Sequence, residues 1–464
     1  MSNRREFLAS IAAAASAASV PAGTLAAART GGAAPTALTG NPAALAINGG
    51  TPVRATPLAG GGCGIGTEFY DEAERAKLEE VWKSHSPFRW YGSSRQEPIQ
   101  CATFEKEFGE RMQSRYVLGV TSGTAALIVA VAALGIGPGD EVILPAWCWY
   151  SCYDAIVLAG ALPVFAECDK SLNIDPDDLE HRITPQTKAI MPVHLEGCPC
   201  DMDRILAIAR RHGLKVLEDC AQSLGASYKG KPVGSMGDIG MYSFHYCKTV
   251  TSGEGGALVT DDPILYERAC RFHDLGPLRP ALQRRLGGSR VPGFAGAQFR
   301  MSEFTGAVLV AQMRKLDSIV AALRANGRRV YAGLHDLPDP HYRQLPDPEG
   351  ELVQRIYLEF PTKELCDRYV RAMKAENVPA APPKGSDILP LDPIVMNKAT
   401  AHPAWPSFNT PRGKAIRYGP EACPRTIDIL NRFAAVWIDP KHTEQDTQDI
   451  ATAIRKVYPV IVNS

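Results

Sequence analysis

The sequence predicts an α/β fold built on a largely parallel sheet. Three observations carry this. Between Tyr116 and Leu217, short runs rich in Val, Ile and Leu alternate with longer helical stretches. The runs are bounded by Gly, Pro, Asp or Ser, as buried strands are. Residues able to do chemistry collect just after the runs, and parallel sheets hold ligands at the carboxyl ends of their strands.

The elements follow in order. Tyr116–Val120 reads as a strand. Thr121-Ser122-Gly123-Thr124 then opens an Ala/Leu/Val helix that should stop at Gly135. Val142–Leu144 is a strand ended by Pro145, Tyr153–Leu158 a helix ending near Gly160, and Pro163–Phe165 and Ala189–Val193 are strands. Asp201 can cap a helix that Gly213 ends, because a short polar side chain accepts from free helical N–H groups and glycine tolerates the left-handed exit. Lys215–Leu217 is a buried strand delivering Glu218 and Asp219 at its end. A single helix is expected over Ser302–Asn326, stopped by Gly327. A strand near Leu352–Phe360 and helices near Lys363–Asn377 and Glu444–Val457 follow, with Pro379–Ala404 a Pro-rich loop.

Composition narrows the function. The 464 residues hold 50 basic and 50 acidic side chains, which gives no support for general nucleic-acid binding. Twelve cysteines are too few for a disulfide-stapled miniature fold. No segment is apolar enough for a convincing membrane span.

The first fifty residues are a different material, rich in Ala, Gly, Ser and Thr. Arg4-Arg5, then Phe7-Leu8, an apolar run from Ala9 to Val20 and Leu25-Ala26-Ala27-Ala28 resemble a twin-arginine export signal with a small-residue cleavage site. The expectation is a leader over 1–50, a large domain over 51–325 and a small C-terminal domain over 326–464, with export to the periplasm. Without a functional signal the protein would stay in the cytoplasm.

The chemistry concentrates between Asp219 and Lys248. Val216-Leu217-Glu218-Asp219-Cys220-Ala221-Gln222 leads to Tyr242-Ser243-Phe244-His245-Tyr246-Cys247-Lys248, then Ser252-Gly253-Glu254-Gly255-Gly256. This is an acid at a strand end, followed by a hydroxyl and a lysine five residues apart. A lysine forms a Schiff base only when its amine is neutral, so its pKa must fall well below about 10.4. A site for pyridoxal phosphate needs such a lysine, a carboxylate for the pyridine nitrogen and a phosphate cradle. The Cys198-Pro199-Cys200 spacing beside His194 is too tight for the usual zinc pair, and no metal site is expected. Cys148, Cys152, Cys168, Cys220 and Cys247 read as buried thiols.

These motifs, in this order, resemble the DegT–StrS family of pyridoxal-phosphate-dependent sugar aminotransferases. The other matching motifs are Ser122-Gly123-Thr124-Ala125-Ala126-Leu127, Gly137-Pro138-Gly139-Asp140-Glu141-Val142, Asn173-Ile174-Asp175, Pro192-Val193-His194-Leu195, Asp201-Met202-Asp203 and Phe299-Arg300-Met301-Ser302-Glu303. The resemblance runs from about Leu45 to the C-terminus. Ala46-Ile47-Asn48-Gly49-Gly50-Thr51-Pro52-Val53-Arg54 and the run at Ser252 look closest to the branch of scyllo-inosose aminotransferases and aminohydroxybenzoate synthases. The family has fold type I, with a mostly parallel seven-stranded sheet between helices and a smaller α+β domain.

The resemblance implies a role for each matching residue. Lys248 would form the internal aldimine and later move the substrate proton. Asp219 would pair with the pyridine nitrogen, and Gln222 would contact the ring's phenolic oxygen. Gly123 and Thr124 would bind the phosphate through backbone N–H groups at a helix N-terminus, with the Ser243 hydroxyl beside them. Trp149, which by itself could be a core tryptophan, would stack on the ring. Gln298 stands where the family has Asn and would reach the phosphate bound by a neighbouring subunit, which implies a homodimer. The implied reaction is a ping-pong transfer from glutamate or glutamine to a keto-sugar or keto-cyclitol. A sugar dehydratase would carry histidine in place of Lys248. An aromatising lyase of the aminohydroxybenzoate-synthase type, or a non-catalytic binding protein on this scaffold, are the other readings.

Overall fold

The computed structural model describes residues 44–60, 65–89, 99–338, 340–383 and 387–463. The leader and its arginine pair lie outside these residues. Seven strands form the central sheet: β1 (Tyr116–Val120), β2 (Glu141–Pro145), β3 (Leu162–Ala166), β4 (Thr187–Ile190), β5 (Lys215–Asp219), β6 (Ile239–Ser243) and β7 (Gly256–Thr260). Their spatial order is β1-β7-β6-β5-β4-β2-β3. β7 runs antiparallel to both neighbours, and the other pairs are parallel.

Alternate residues of each strand enter opposite layers, because side chains on a strand point to the two faces in turn. Leu118 and Val120 join one core while Val117 joins another, and Leu217 and Val216 divide in the same way. Both faces are therefore covered by helices, and nearly continuous apolar runs suit such strands. The helix Gly123–Ala133 is capped by the Ser122 hydroxyl, which accepts from Ala125 N at 3.0 Å. Asp201 caps the helix Met202–His212, and Gly213 ends it in the left-handed conformation, as expected.

Several expectations change. The helix expected over 302–326 is two helices, Glu303–Met313 and Leu316–Gly333. At the break, Lys315 Nζ donates to Phe69 O at 2.6 Å and to Glu74. Gly327 lies inside the second helix, where a Cβ would sit 2.2 Å from Val353 Cγ1. Its smallness serves close packing and not a helix stop. That helix spans residue 326, giving Leu323 to one core and Val330 to the next. The second core surrounds a three-stranded antiparallel sheet of Arg355–Glu359, Phe433–Trp437 and Ala380–Ala381. The segment expected as a Pro-rich loop holds short elements, among them Asp387–Ile388, which pairs antiparallel with Trp147–Cys148. The last helix continues to Val462, past Pro459. Among the described residues, no helix is long and apolar enough to cross a membrane.

Glu351 gives a pH-dependent stability. Its carboxyl is buried, and burial raises its pKa from 4.5 to about 7 against the opposing charges of Arg343 and Arg324. The folded state therefore holds a proton that the unfolded state releases between these values. The contribution is complete below pH 4.5 and is lost as pH rises through about 7. It amounts to something on the order of 3 kcal/mol. Glu351→Gln should flatten this loss, so that the gap between variant and wild-type melting temperatures widens from pH 5 to pH 8 (range about as set by the linkage). An unchanged gap would remove Glu351 from the account.

Candidate active site

The site lies along the carboxyl edge of the parallel strands. Asp219 ends β5 and is 3% exposed. Its Oδ1 accepts from Ala221 N at 2.9 Å, and its Oδ2 accepts from the Cys152 thiol at 3.1 Å. Burial raises its pKa, while the Ala221 N–H, the Cys152 thiol, Lys248 and His194 oppose the rise. A carboxylate placed this way is favoured by a cationic partner.

Lys248 sits on a loop closed at its neck. Phe244 N donates to Gly255 O at 2.8 Å, and Ser252 N and Thr251 Oγ1 both donate to Phe244 O. The Phe244 ring anchors this neck edge-on against Phe104 and Phe108. Burying such a ring contributes about 1.5–3 kcal/mol. The loop thus holds a half-buried lysine over a rigid base. Burial lowers the Lys248 pKa, with the charges of Asp219 and Cys152 acting in the opposite sense. That is the direction a neutral, nucleophilic amine requires.

A helix terminus that could cradle a phosphate follows from strand register. Val120 pairs with Gly256, and Gly256 with Ser243. This brings the Ser122 turn against the end of β6. A Cβ on Gly123 would stand 2.7 Å from Ser243 Cβ, and one on Gly256 would stand 2.2 Å from Ser122 O. Only glycine leaves the helix N-terminus and the Ser243 hydroxyl this close. Thr124 Oγ1 is hydrogen-bonded to Ser151 Oγ at 2.7 Å. The free N–H groups and the dipole at this terminus suit an anion. Gly123→Ala should therefore weaken cofactor retention about tenfold or more, the cost of overpacking. Titrating the apo variant with cofactor checks this, and an unchanged dissociation constant would contradict the cradle.

Trp149 is 53% exposed at the start of the helix Tyr150–Leu158 and meets the Tyr150 ring edge-on, so it is not a core tryptophan. Gln222 is partly buried, and its Oε1 accepts from Glu196 N at 3.2 Å. Gln298 is exposed and bridges to Asp274 through the backbone. The structure thus brings Asp219, Lys248, Gly123, Thr124 and Ser243 to one edge, with Trp149 and Gln222 following strands of the same edge.

Sequence reasoning missed Cys152 and Ser151 as partners of the site. Both lie within one helical turn of Trp149, and that spacing was the available signal. It also misread Cys247, which is half-buried and disulfide-bonded, not a buried thiol. His194, Glu218 and Cys220 offer three grouped ligand atoms. However, His194 Nε2 already meets Glu218, which also accepts from the N–H groups of Gly234, Met236 and Gly237. Cys198 and Cys200 are buried free thiols.

A lysine made less basic by burial, a buried strand-end carboxylate and a glycine-lined helix terminus fit pyridoxal phosphate. The model of the DegT/DnrJ/EryC1/StrS aminotransferase family matches residues 73–384, well over half of the chain. The chain belongs to this family. Similar solved structures include 3-amino-5-hydroxybenzoic acid (AHBA) synthase, at 27% identity and TM-score 0.71, covering 87% of this chain and 100% of that one. An aminotransferase from Psychrobacter cryohalolentis matches at 27% identity and TM-score 0.70, over 85% and 98% of the two chains. DesI, solved in the presence of its TDP-sugar product, matches at 26% identity and TM-score 0.68, over 89% and 96%. The fold is that of the fold type I aminotransferases, and the protein is a pyridoxal-phosphate-dependent aminotransferase of the sugar aminotransferase family.

Proposed function

We propose that the protein moves an amino group from glutamate or glutamine to a keto-sugar or keto-cyclitol in a ping-pong cycle. The observation that carries this reading is Lys248, half-buried and lowered in pKa within reach of the Asp219 charge. Bound pyridoxal phosphate supplies the amino-group store and the electron sink. Lys248 would hold the cofactor and serve as the base that moves the proton at the substrate carbon. Asp219 keeps the pyridine nitrogen protonated. Gly123, Thr124 and Ser243 would hold the phosphate, with Gln222 available to the phenolic oxygen and Trp149 to the ring.

The reading pairs two chains, with Gln298 of each reaching the phosphate site of the other. Its exposure leaves the amide accessible to a second chain. It also places the enzyme in the periplasm, supported by Arg4-Arg5 and the Ala-rich stretch after them. N-terminal sequencing of the mature protein tests this, and a cytoplasmic protein beginning at Ser2 would refute it.

The reaction is tested by offering the donor-loaded enzyme a keto-cyclitol, a nucleotide-linked keto-sugar and a cyclic aminodehydroshikimate. Appearance of an aminated cyclitol or sugar supports the proposal. Aromatisation of the third compound, with no amination of the others, assigns the lyase reading instead, to which the similarity to AHBA synthase points.

A further inference from the structure

One turn of helix organises three parts of the site. Trp149 precedes the helix Tyr150–Leu158 at the carboxyl edge. Ser151 Oγ is bonded to Thr124 Oγ1 at the phosphate helix. Cys152, fully buried, reaches Asp219 Oδ2, 67 residues away in sequence, at 3.1 Å. The second oxygen of the carboxylate is already held by Ala221 N. With one donor on each oxygen, the carboxylate plane is fixed, and a lone pair is left for a further donor.

We infer that Cys152 is a positioning residue of the cofactor site, donating its S–H to Asp219 Oδ2 to fix the carboxylate for the pyridine nitrogen. This rests on Asp219 being the nitrogen's partner. The neighbouring thiol does not compete for the carboxylate, because Cys148 Sγ donates to Pro145 O at 3.3 Å. The Cys148 side chain, burial and the Asp219 charge raise the Cys152 pKa, which keeps the thiol protonated and able to donate to Asp219 Oδ2. A thiolate here would repel Asp219 and loosen it. A thiol is a weak donor, so its part is to orient the carboxylate, with the main charge interaction left to the cofactor.

The test uses the purified full chain. The infrared difference between wild type and Cys152→Ala identifies the Cys152 S–H stretching band, and Asp219→Asn should move that band to higher frequency in the cofactor-free protein. Cofactor titration should show Cys152→Ala weakened by about fivefold and Cys152→Ser restored to about the wild-type value, because the hydroxyl keeps a donor. The pH midpoint of the visible band should shift in the alanine variant and return in the serine variant. An S–H band indifferent to Asp219→Asn, or alanine and serine variants equally impaired, would overturn the inference. If Cys152→Ala does not fold, the Cys152→Ser difference spectrum locates the same band. If instead the S–H band responds but Asp219→Asn leaves the bound cofactor's spectrum unchanged, the pairing of Asp219 with the ring fails, and this inference fails with it.

Discussion

Lys248→Ala should abolish amino transfer and the visible absorbance of the lysine-bound cofactor, while the protein still melts cooperatively. The expected loss is at least about 10³-fold, because the substitution removes both the covalent attachment and the base. Lys248 is half-buried on a loop whose neck is held by Phe244, Ser252 and Gly255, so truncating its side chain leaves the fold intact. Single-turnover mixing with glutamate measures the effect. Retention of transfer within tenfold of wild type (about 1.4 kcal/mol) would remove Lys248 from the chemistry.

Asp219→Asn should lower the rate by about 10²–10³-fold, the range seen when a preorganised charge partner is lost. The amide keeps nearly the same shape, so folding is little affected and the loss is electronic. It cannot keep the pyridine nitrogen protonated, and a neutral ring draws electrons poorly. In the protein, burial pushes the aspartate toward its neutral form, and the Ala221 N–H, Cys152 and Lys248 act against that push. The bound cofactor's cation should complete the balance, so cofactor affinity should fall along with the rate. A variant with normal turnover and normal affinity would leave Asp219 as a structural acid.

Most of the sheet was legible from sequence because its strands are buried on both faces and read as apolar runs between turn residues. β6 and β7 were not read as strands, and the direction of β7 was not legible either, because an apolar run carries no sign of whether its neighbours run with it or against it. The break near Arg314 was hidden by apolar periodicity that continues across it, and Gly327 mimicked a stop while serving close contact with Val353. In the site, Lys248, Asp219 and the Ser122–Thr124 turn stood out through local motifs. Cys152 did not, because its partner is set by where a helix lands beside β5 and not by any neighbour in sequence. Cys247 looked like a core thiol beside aromatic residues, yet it is half-buried and bonded.

On the proposed function, Lys248 carries the cofactor. Reducing the cofactor-loaded protein with borohydride, digesting it and measuring peptide masses tests this most directly. The expected result is a pyridoxyl phosphate adduct on Lys248 that is lost when glutamate is added before reduction. An adduct on another lysine, or none on a protein that holds the cofactor, would contradict it.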